Sequence, residues 1–307
     1  MTLRRVYFVC RACRVGWHAA DARLGVTGGR SRQAERLICL AGGSWSFDKA
    51  SQYLAELSGL KVCANTVRSV CQGEAARIET WQASPAACEP HRRTPGHDEF
   101  ETDGTCVNTT AGWKEMRVGV FVKRQAGAPA TPQEWDRRSL PAPASRVAFA
   151  AIEDHATFAA RWPIVAARLG IRPNAALDVY ADGARWIWDR LDYHFAFARG
   201  TLDVYHALEH VHAAGQAFYG EGAPAAAAWH ATARDALLAK GWPGIAQVIQ
   251  RTRADAVRAP QGMALTQLEE YLRPHAGHLQ YAERLAAGRP IGSGLIEGAC
   301  KNYWAGG

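Results

Sequence analysis

Between Glu99 and Leu202 the hydrophobic pattern changes period in a fixed order, and few architectures accommodate that order. Glu99–Asp103 is a short β-type run. Trp113–Arg124 is a longer one, with Val118, Val120 and Val122 alternating as a half-buried strand requires. A Pro- and Ala-rich loop over 125–145 separates it from a third run at 146–154. His155–Leu169 has helical spacing, and Pro163 should kink or split it. Leu177–Ala181 reads as a fourth strand, Ala184–Leu191 as a helix and Phe195–Leu202 as a fifth strand. Three antiparallel strands followed by strand–helix units predict a mixed α+β or α/β domain.

Carboxylates fall at informative places in that pattern. Asp103 and Asp182 each close a β-type run and each precede a Gly, which lets the backbone turn away. A third, Glu297, follows the Gly-Ser-Gly turn of IGSGLIEGACK (291–301) and should open a helix. An all-helical, Ala-rich stretch at 204–288 separates it from the fifth strand and must fold back for Glu297 to reach the sheet. The order is that of a ribonuclease H-like domain, which would bring the three carboxylates together. Such a set binds hard divalent cations through oxygen. Taken singly, each Asp-Gly is an ordinary turn and Glu297 an ordinary helix carboxylate, with Lys301 as its i+4 partner.

Upstream, residues 29–82 carry three helical segments. In the first, Ala34, Leu37, Ile38 and Ala41 share a face; in the second, capped by Ser46, Phe47, Ala50, Tyr53, Leu54 and Leu57 do. Gly59 ends the second, and the third starts near Asn65 or Thr66. Helix, Gly-containing turn, helix suits a helix-turn-helix, with Thr66, Arg68, Ser69 and Gln72 near the start of the recognition helix. An ordinary three-helix cluster has the same pattern. Residues 83–98, with three prolines and no apolar periodicity, read as a linker. At the N-terminus a strand runs into Cys10-Arg-Ala-Cys13, half of a zinc-ribbon-like knuckle over 1–28; one such pair supplies two of the four ligands of a structural zinc.

The balance of 36 Lys and Arg against 29 Asp and Glu gives a net charge of +7, which suits a polyanionic partner. No apolar run reaches the roughly 20 residues of a membrane helix, and no apolar core of a secretion signal follows Met1. The expected setting is the cytoplasm, with reduced thiols.

The motifs taken together are DGT at 103–105 with GWKE at 112–115, ADGARWIW at 181–188, LDVYHALEHV at 202–211 and GSGLIEGACK at 292–301, downstream of SFDKASQYLAELSGLKVCANTV. In this order they resemble the DDE transposases of bacterial insertion sequences, in particular the Kra-type group related to Mutator-like elements. The resemblance covers nearly the whole chain. It implies a ribonuclease H-like core over 99–203, a helical insertion over 204–288 and a closing catalytic helix over 289–307. It implies that Asp103, Asp182 and Glu297 form the acidic triad and hold two Mg²⁺ or Mn²⁺ ions. Asp203 and His206 match the group's Asp/Cys-x-x-His signature. Double-stranded DNA is the implied partner and a homo-oligomer the implied assembly, with no role for a membrane. Lys114, Arg185 and Lys301, with Arg117, Lys123 and Arg124, are candidate phosphate contacts by charge.

The pattern departs from the group at both ends. Relatives carry a second Cys-x-x-Cys ahead of the first strand and a long helix after the final motif, so the chain is expected to be a truncated product. Two rival readings follow. A fragment with an intact helix-turn-helix could bind element ends without cutting them. Alternatively, His206, Glu209 and His210 spell H-x-x-E-H, which places two imidazoles on one helix face as in inverted zinc peptidases.

Overall fold

The computed structural model describes residues 6–27, 29–109, 111–256 and 259–298. The chain divides at Ser84–Pro85 into two compact units. No helix among the described residues is long and apolar enough to cross a membrane.

The first unit opens with an antiparallel hairpin of β1 (Tyr7–Val9) and β2 (Gly16–His18). Cys10 and Cys13 lie in its turn, where Cys10 N–H donates to Val15 O at 2.8 Å. A short helix α1 (Asp21–Leu24) and a two-residue ladder of β3 (Val26–Thr27) and β4 (Arg30–Ser31) lead into three helices. These are α2 (Arg32–Gly42), α3 (Phe47–Ser58) and α4 (Ala64–Ala83). The predicted caps hold: Ser46 Oγ accepts from Lys49 N at 3.4 Å, and Gly59 ends α3 in the left-handed region at φ 69°. Ile38, Ala41, Ala50, Leu54, Val67 and Val70 form the core. Leu57, expected on the apolar face of α3, is 78% exposed instead, because it lies at the helix end beyond the reach of its neighbours.

The second unit begins with a correction. The stretch expected to be a linker is a helix, α5 (Pro85–Arg93), with Cys88 and His91 buried. Pro85 fits its first turn, where no N–H is needed. His91 is held at both ring nitrogens, by Asp98 at 3.0 Å and Ser145 Oγ at 3.1 Å.

The strands are β5 (His97–Thr109), β6 (Gly112–Arg124), β7 (Ser145–Ala151), β8 (Leu177–Ala181) and β9 (Arg199–Leu202). They form one sheet in the order β7-β6-β5-β8-β9, antiparallel across β7, β6 and β5 and parallel across β5, β8 and β9. Between β7 and β8 lie α6 (His155–Ala159) and α7 (Arg161–Leu169), the split expected from Pro163. Helix α8 (Arg185–His194) links β8 to β9. One sheet face is aromatic: Phe100 stacks on Phe121 at 4.4 Å and meets Trp162 at 5.1 Å. On the other face Val118, Val120 and Val122 pack with Ile296.

After β9 the described chain is helical through 286. Its elements are α9 (Val204–Tyr219), α10 (Pro224–Ala254, bent at Gly241), α11 (Ala259–Leu272), a 3-10 turn (Arg273–His278) and α12 (Tyr281–Ala286). The chain then returns to the sheet by a series of contacts. Tyr281 Oη donates to Leu202 O at 2.9 Å. Asp178, buried on β8, pairs with Arg284, with Arg199 at 3.0 Å and with Arg289 at 3.6 Å. Val204 N–H donates to Ile291 O at 3.0 Å, and residues 294–298 form a last helical turn.

Candidate active site

Asp103 does not end its strand. β5 continues to Thr109 in full register with β6, and Asp103 lies opposite Val118. What stops near Asp103 is the parallel pairing with β8, whose last pair is Glu101 with Tyr180. That register is an offset of 79 residues, the same offset that separates Asp103 from Asp182. The two aspartates therefore follow the last paired residues on adjacent strands. Their side chains share the face on which Ile296 packs, since side chains on a strand alternate. The β5–β6 ladder outlasts the β5–β8 ladder because β8 must leave the sheet to start α8.

The turn after Asp182 is fixed from several sides. Its Oδ1 accepts from Ala184 N at 2.9 Å, and its carbonyl accepts from Trp188 Nε1 at 2.7 Å. Tyr271, from α11, accepts a hydrogen bond from Gly183 N–H. A Cβ at Gly183 would lie 2.3 Å from the Tyr271 ring. Glycine is required here by that close approach, not by the turn conformation expected from the sequence.

Glu297 reaches the same face through two carboxylates that sequence reasoning left without this role. Asp203, fully buried, caps α9: its Oδ1 accepts from Tyr205 N at 2.7 Å and His206 N at 3.1 Å. Its Oδ2 accepts from the backbone N–H of Ser293 and from Ser293 Oγ at 2.7 Å. Glu101, 1% exposed, accepts from Ile296 N at 2.8 Å. Asp203 is thus a cap and a brace in one side chain. Glu101 could have been suspected from the sequence only as a charged residue at an inward strand position, two before Asp103.

The other two carboxylates both act on Asp103. Burial raises Asp103 to about 6, with Asp182 and Glu297 adding to the rise and Gly104 N–H and His206 opposing it. Carboxylate oxygens near a carboxyl that burial and like charge hold up are donors that suit a hard divalent cation. Among the described residues no three His, Cys, Asp or Glu side chains converge on one point at ligating range. Two hard cations that keep several waters need only one or two carboxylates each, so the arrangement fits them in kind.

The other candidates are placed as follows. His206, beside Asp103, turns its Nδ1 to Glu209 at 3.6 Å, while His210 stacks on Tyr271 with centroids 3.5 Å apart. The two imidazoles of H-x-x-E-H therefore have separate partners. Cys10 and Cys13 hydrogen-bond one another, which lowers Cys10, and among the described residues no group of three ligating side chains includes them. Arg68, Ser69 and Gln72 are exposed on α4; Thr66 is half-buried and meets Cys63 Sγ at 3.3 Å. Lys114 is exposed on β6, and Arg185 is exposed beside Asp189 at 3.6 Å. Arg117 and Arg124, nominated by charge, are instead buried and committed. Arg117 pairs with Glu115 at 2.8 Å over the Trp186 ring, and Arg124 with buried Glu99 at 3.1 Å. Lys301 lies outside the described residues.

Compared with models of known protein families and with curated proteins, the chain matches none.

Proposed function

We propose that the chain is a DDE-type transposase that cuts DNA at the ends of an insertion sequence and joins the freed 3′ ends to a target. Its catalytic unit would be a ribonuclease H-like core with a helical insertion, and its α2–α4 unit a helix-turn-helix for double-stranded DNA. The observation that carries the reading is geometric: Asp103 and Asp182 stand level on adjacent strands, on the sheet face where Ile296, next to Glu297, packs. The sheet order and the motif order of the chain agree with it.

Both chemical steps are in-line displacements at phosphorus, and neither needs a protein nucleophile. Water attacks first; the freed 3′-hydroxyl attacks second. A bound pair of Mg²⁺ or Mn²⁺ ions would stabilise charge on the attacking and leaving oxygens. Asp103, Asp182 and Glu297 would together hold these ions through their carboxylate oxygens. His206 favours the charged form of Asp103, which is the form that binds a cation. Asp203 and Glu101 hold the turn that presents Glu297. Exposed Arg68, Ser69 and Gln72 on α4 are assigned to DNA contact.

The test is strand cleavage of element-end DNA in Mg²⁺. The Asp103→Asn protein should lose at least about a thousandfold in rate while binding DNA as before, given the share such charge stabilisation takes. Full metal-dependent cleavage by that variant would remove the assignment. Salt-dependent binding by the unaltered chain without nicking would leave a DNA-binding competitor in its place.

A further inference from the structure

The loop between β6 and β7, expected only to be long and Pro-rich, has a fixed shape. Gly127 N donates to Gly288 O at 2.9 Å and Ala130 N to Leu285 O at 3.0 Å. Thr131 N and Oγ1 both donate to Glu134 Oε2, at 2.9 and 2.7 Å. The loop thereby sets Trp135 against Tyr205 of α9, with ring centroids 5.6 Å apart. A cavity of about 270 Å³ lies between this strap, the start of α9 and the segment that leads to Glu297. Trp135, Arg138, Tyr205 and Leu295 are among its walls, together with two carboxyl residues, Asp136 and Glu101, of which Glu101 is engaged by Ile296 N.

Two features define what the cavity can hold. The Nη1 of Arg138 is buried and has no hydrogen-bond partner, and no carboxylate among the described residues pairs with its guanidinium. Arg124, the other arginine of the wall, is already spent on Glu99 at 3.1 Å. A buried, unpaired guanidinium donor costs free energy that an anion would recover, and a planar fork of donors suits phosphate. The second feature is aromatic surface: Tyr205 is 54% exposed and Trp135 stands beside it. A volume near the lower end of small-molecule sites, roughly 300 Å³, excludes a duplex.

We propose that this cavity receives one unpaired nucleotide of the DNA strand, with its phosphate on Arg138 and its base against Trp135 and Tyr205. The identity of the ligand rests on the transposase reading. The position suits it, because Gly294 and Leu295 belong to the turn that presents Glu297. A nucleotide held there would lie next to the phosphodiester being cut, and base stacking on an aromatic face tolerates any sequence.

The experiment is fluorescence anisotropy of a short fluorescein-labelled single-stranded oligonucleotide with the full chain, across a salt series and without divalent metal. Arg138→Gln should bind about tenfold more weakly, with the salt slope reduced by about 0.7, the value for one phosphate contact on a single strand. Trp135→Leu and Tyr205→Leu should each bind about fivefold more weakly with the slope unchanged. Tyr205 is exposed enough that its variant keeps the test alive if Trp135→Leu fails to fold. Arg234→Gln, at an exposed pair with Asp235 on α10, should bind within about twofold of the unaltered chain. No strand binding by the unaltered chain, or binding indifferent to Arg138→Gln, overturns the subsite. Cleavage of element ends in Mg²⁺, run on the same proteins, separates the two ideas. Cutting indifferent to Arg138→Gln and Tyr205→Leu removes the subsite and leaves the transposase. Arg138-dependent strand binding with no cutting keeps the subsite and removes the transposase.

Discussion

Asp103 and Asp182 are held by main chain, whereas Glu297 is held by side chains. The two aspartates follow from the ladder of β5 with β6 and β8, where each residue's place is set by the register of its neighbours. The turn carrying Glu297 belongs to no strand. It is fastened by Asp203 to Ser293 and by Glu101 to Ile296, links that span 90 and 195 residues of sequence. A ladder tolerates the loss of one side chain, because the backbone bonds remain. A brace made of one buried carboxylate does not, because its removal strands several donors at once. The catalytic triad of the proposed transposase would thus be rigid on one side and conditional on the other.

Asp203→Ala should break this contrast most severely. It leaves Tyr205 N, His206 N, Ser293 N and Ser293 Oγ without their acceptor in a fully buried place. Losing a cap costs about 1 kcal/mol and each buried unsatisfied donor about 1–3 kcal/mol, so about 3–5 kcal/mol of stability should go. Urea unfolding measures it. Asp103→Asn, on the ladder side, should leave stability within about 1 kcal/mol or raise it, since it removes a buried charge among like charges. Equal losses for the two variants would show that the main-chain and side-chain anchors do not differ.

The next effect is one of pH. Burial raises Asp103 from an ordinary 3.8 to about 6 and Glu101 from 4.5 to about 8. Above the unfolded values the folded chain binds more protons than the unfolded chain, so stability falls as pH climbs through each folded value. Glu99, raised by burial to about 7, shares this window, so the three carboxyls should together lower the melting temperature between about pH 5 and pH 8. Saturating Mg²⁺ should restore the lower part, belonging to Asp103, and do so more at pH 7 than at pH 5, because protons compete with the cation. In Asp103→Asn the metal should lose most of this effect. Buried histidines with lowered values, such as His275 and His278, act in the opposite sense, so the test is the difference from Asp103→Asn and Glu101→Gln; a difference that stays flat over the window would contradict the assignments.

The same contrast explains what was readable in advance. The existence of five strands and their order along the chain were legible because each rests on a local period, although the first runs on past Asp103 to Thr109 and the fifth begins only at Arg199, not Phe195. The split at Pro163 and the caps at Ser46 and Gly59 were legible for the same reason. α5 was missed because only Cys88 and His91 face inward, too few positions to show a period beneath its prolines. The roles of Glu101 and Arg138 had no local signature at all. One depends on a partner 195 residues away and the other on a loop whose shape is set by Gly288 and Leu285. Asp203 was visible as a cap next to a histidine, but its second oxygen, which holds Ser293, was not.

Glu101→Gln should have the smallest effect and is the finest probe of the comparison. Burial holds the Glu101 carboxyl neutral near pH 7, so the amide closely reproduces its native form there. The side-chain carbonyl can still accept from Ile296 N, and stability near pH 7 should change by less than about 1 kcal/mol. What should change is the pH profile. With no proton to lose at this position, the variant should decline less than the unaltered chain through the upper part of the window, where Glu99 still titrates. Glu101→Leu, which has no acceptor, should instead lose about 1–3 kcal/mol at every pH by orphaning the Ile296 N–H. If the amide and the leucine behave alike, the brace is one of packing against Val118, Val120 and Val122 and not of hydrogen bonding. The Glu297 turn would then be anchored much as the strands are, by apolar contact, and the distinction between the two sides of the site would narrow to Asp203 alone.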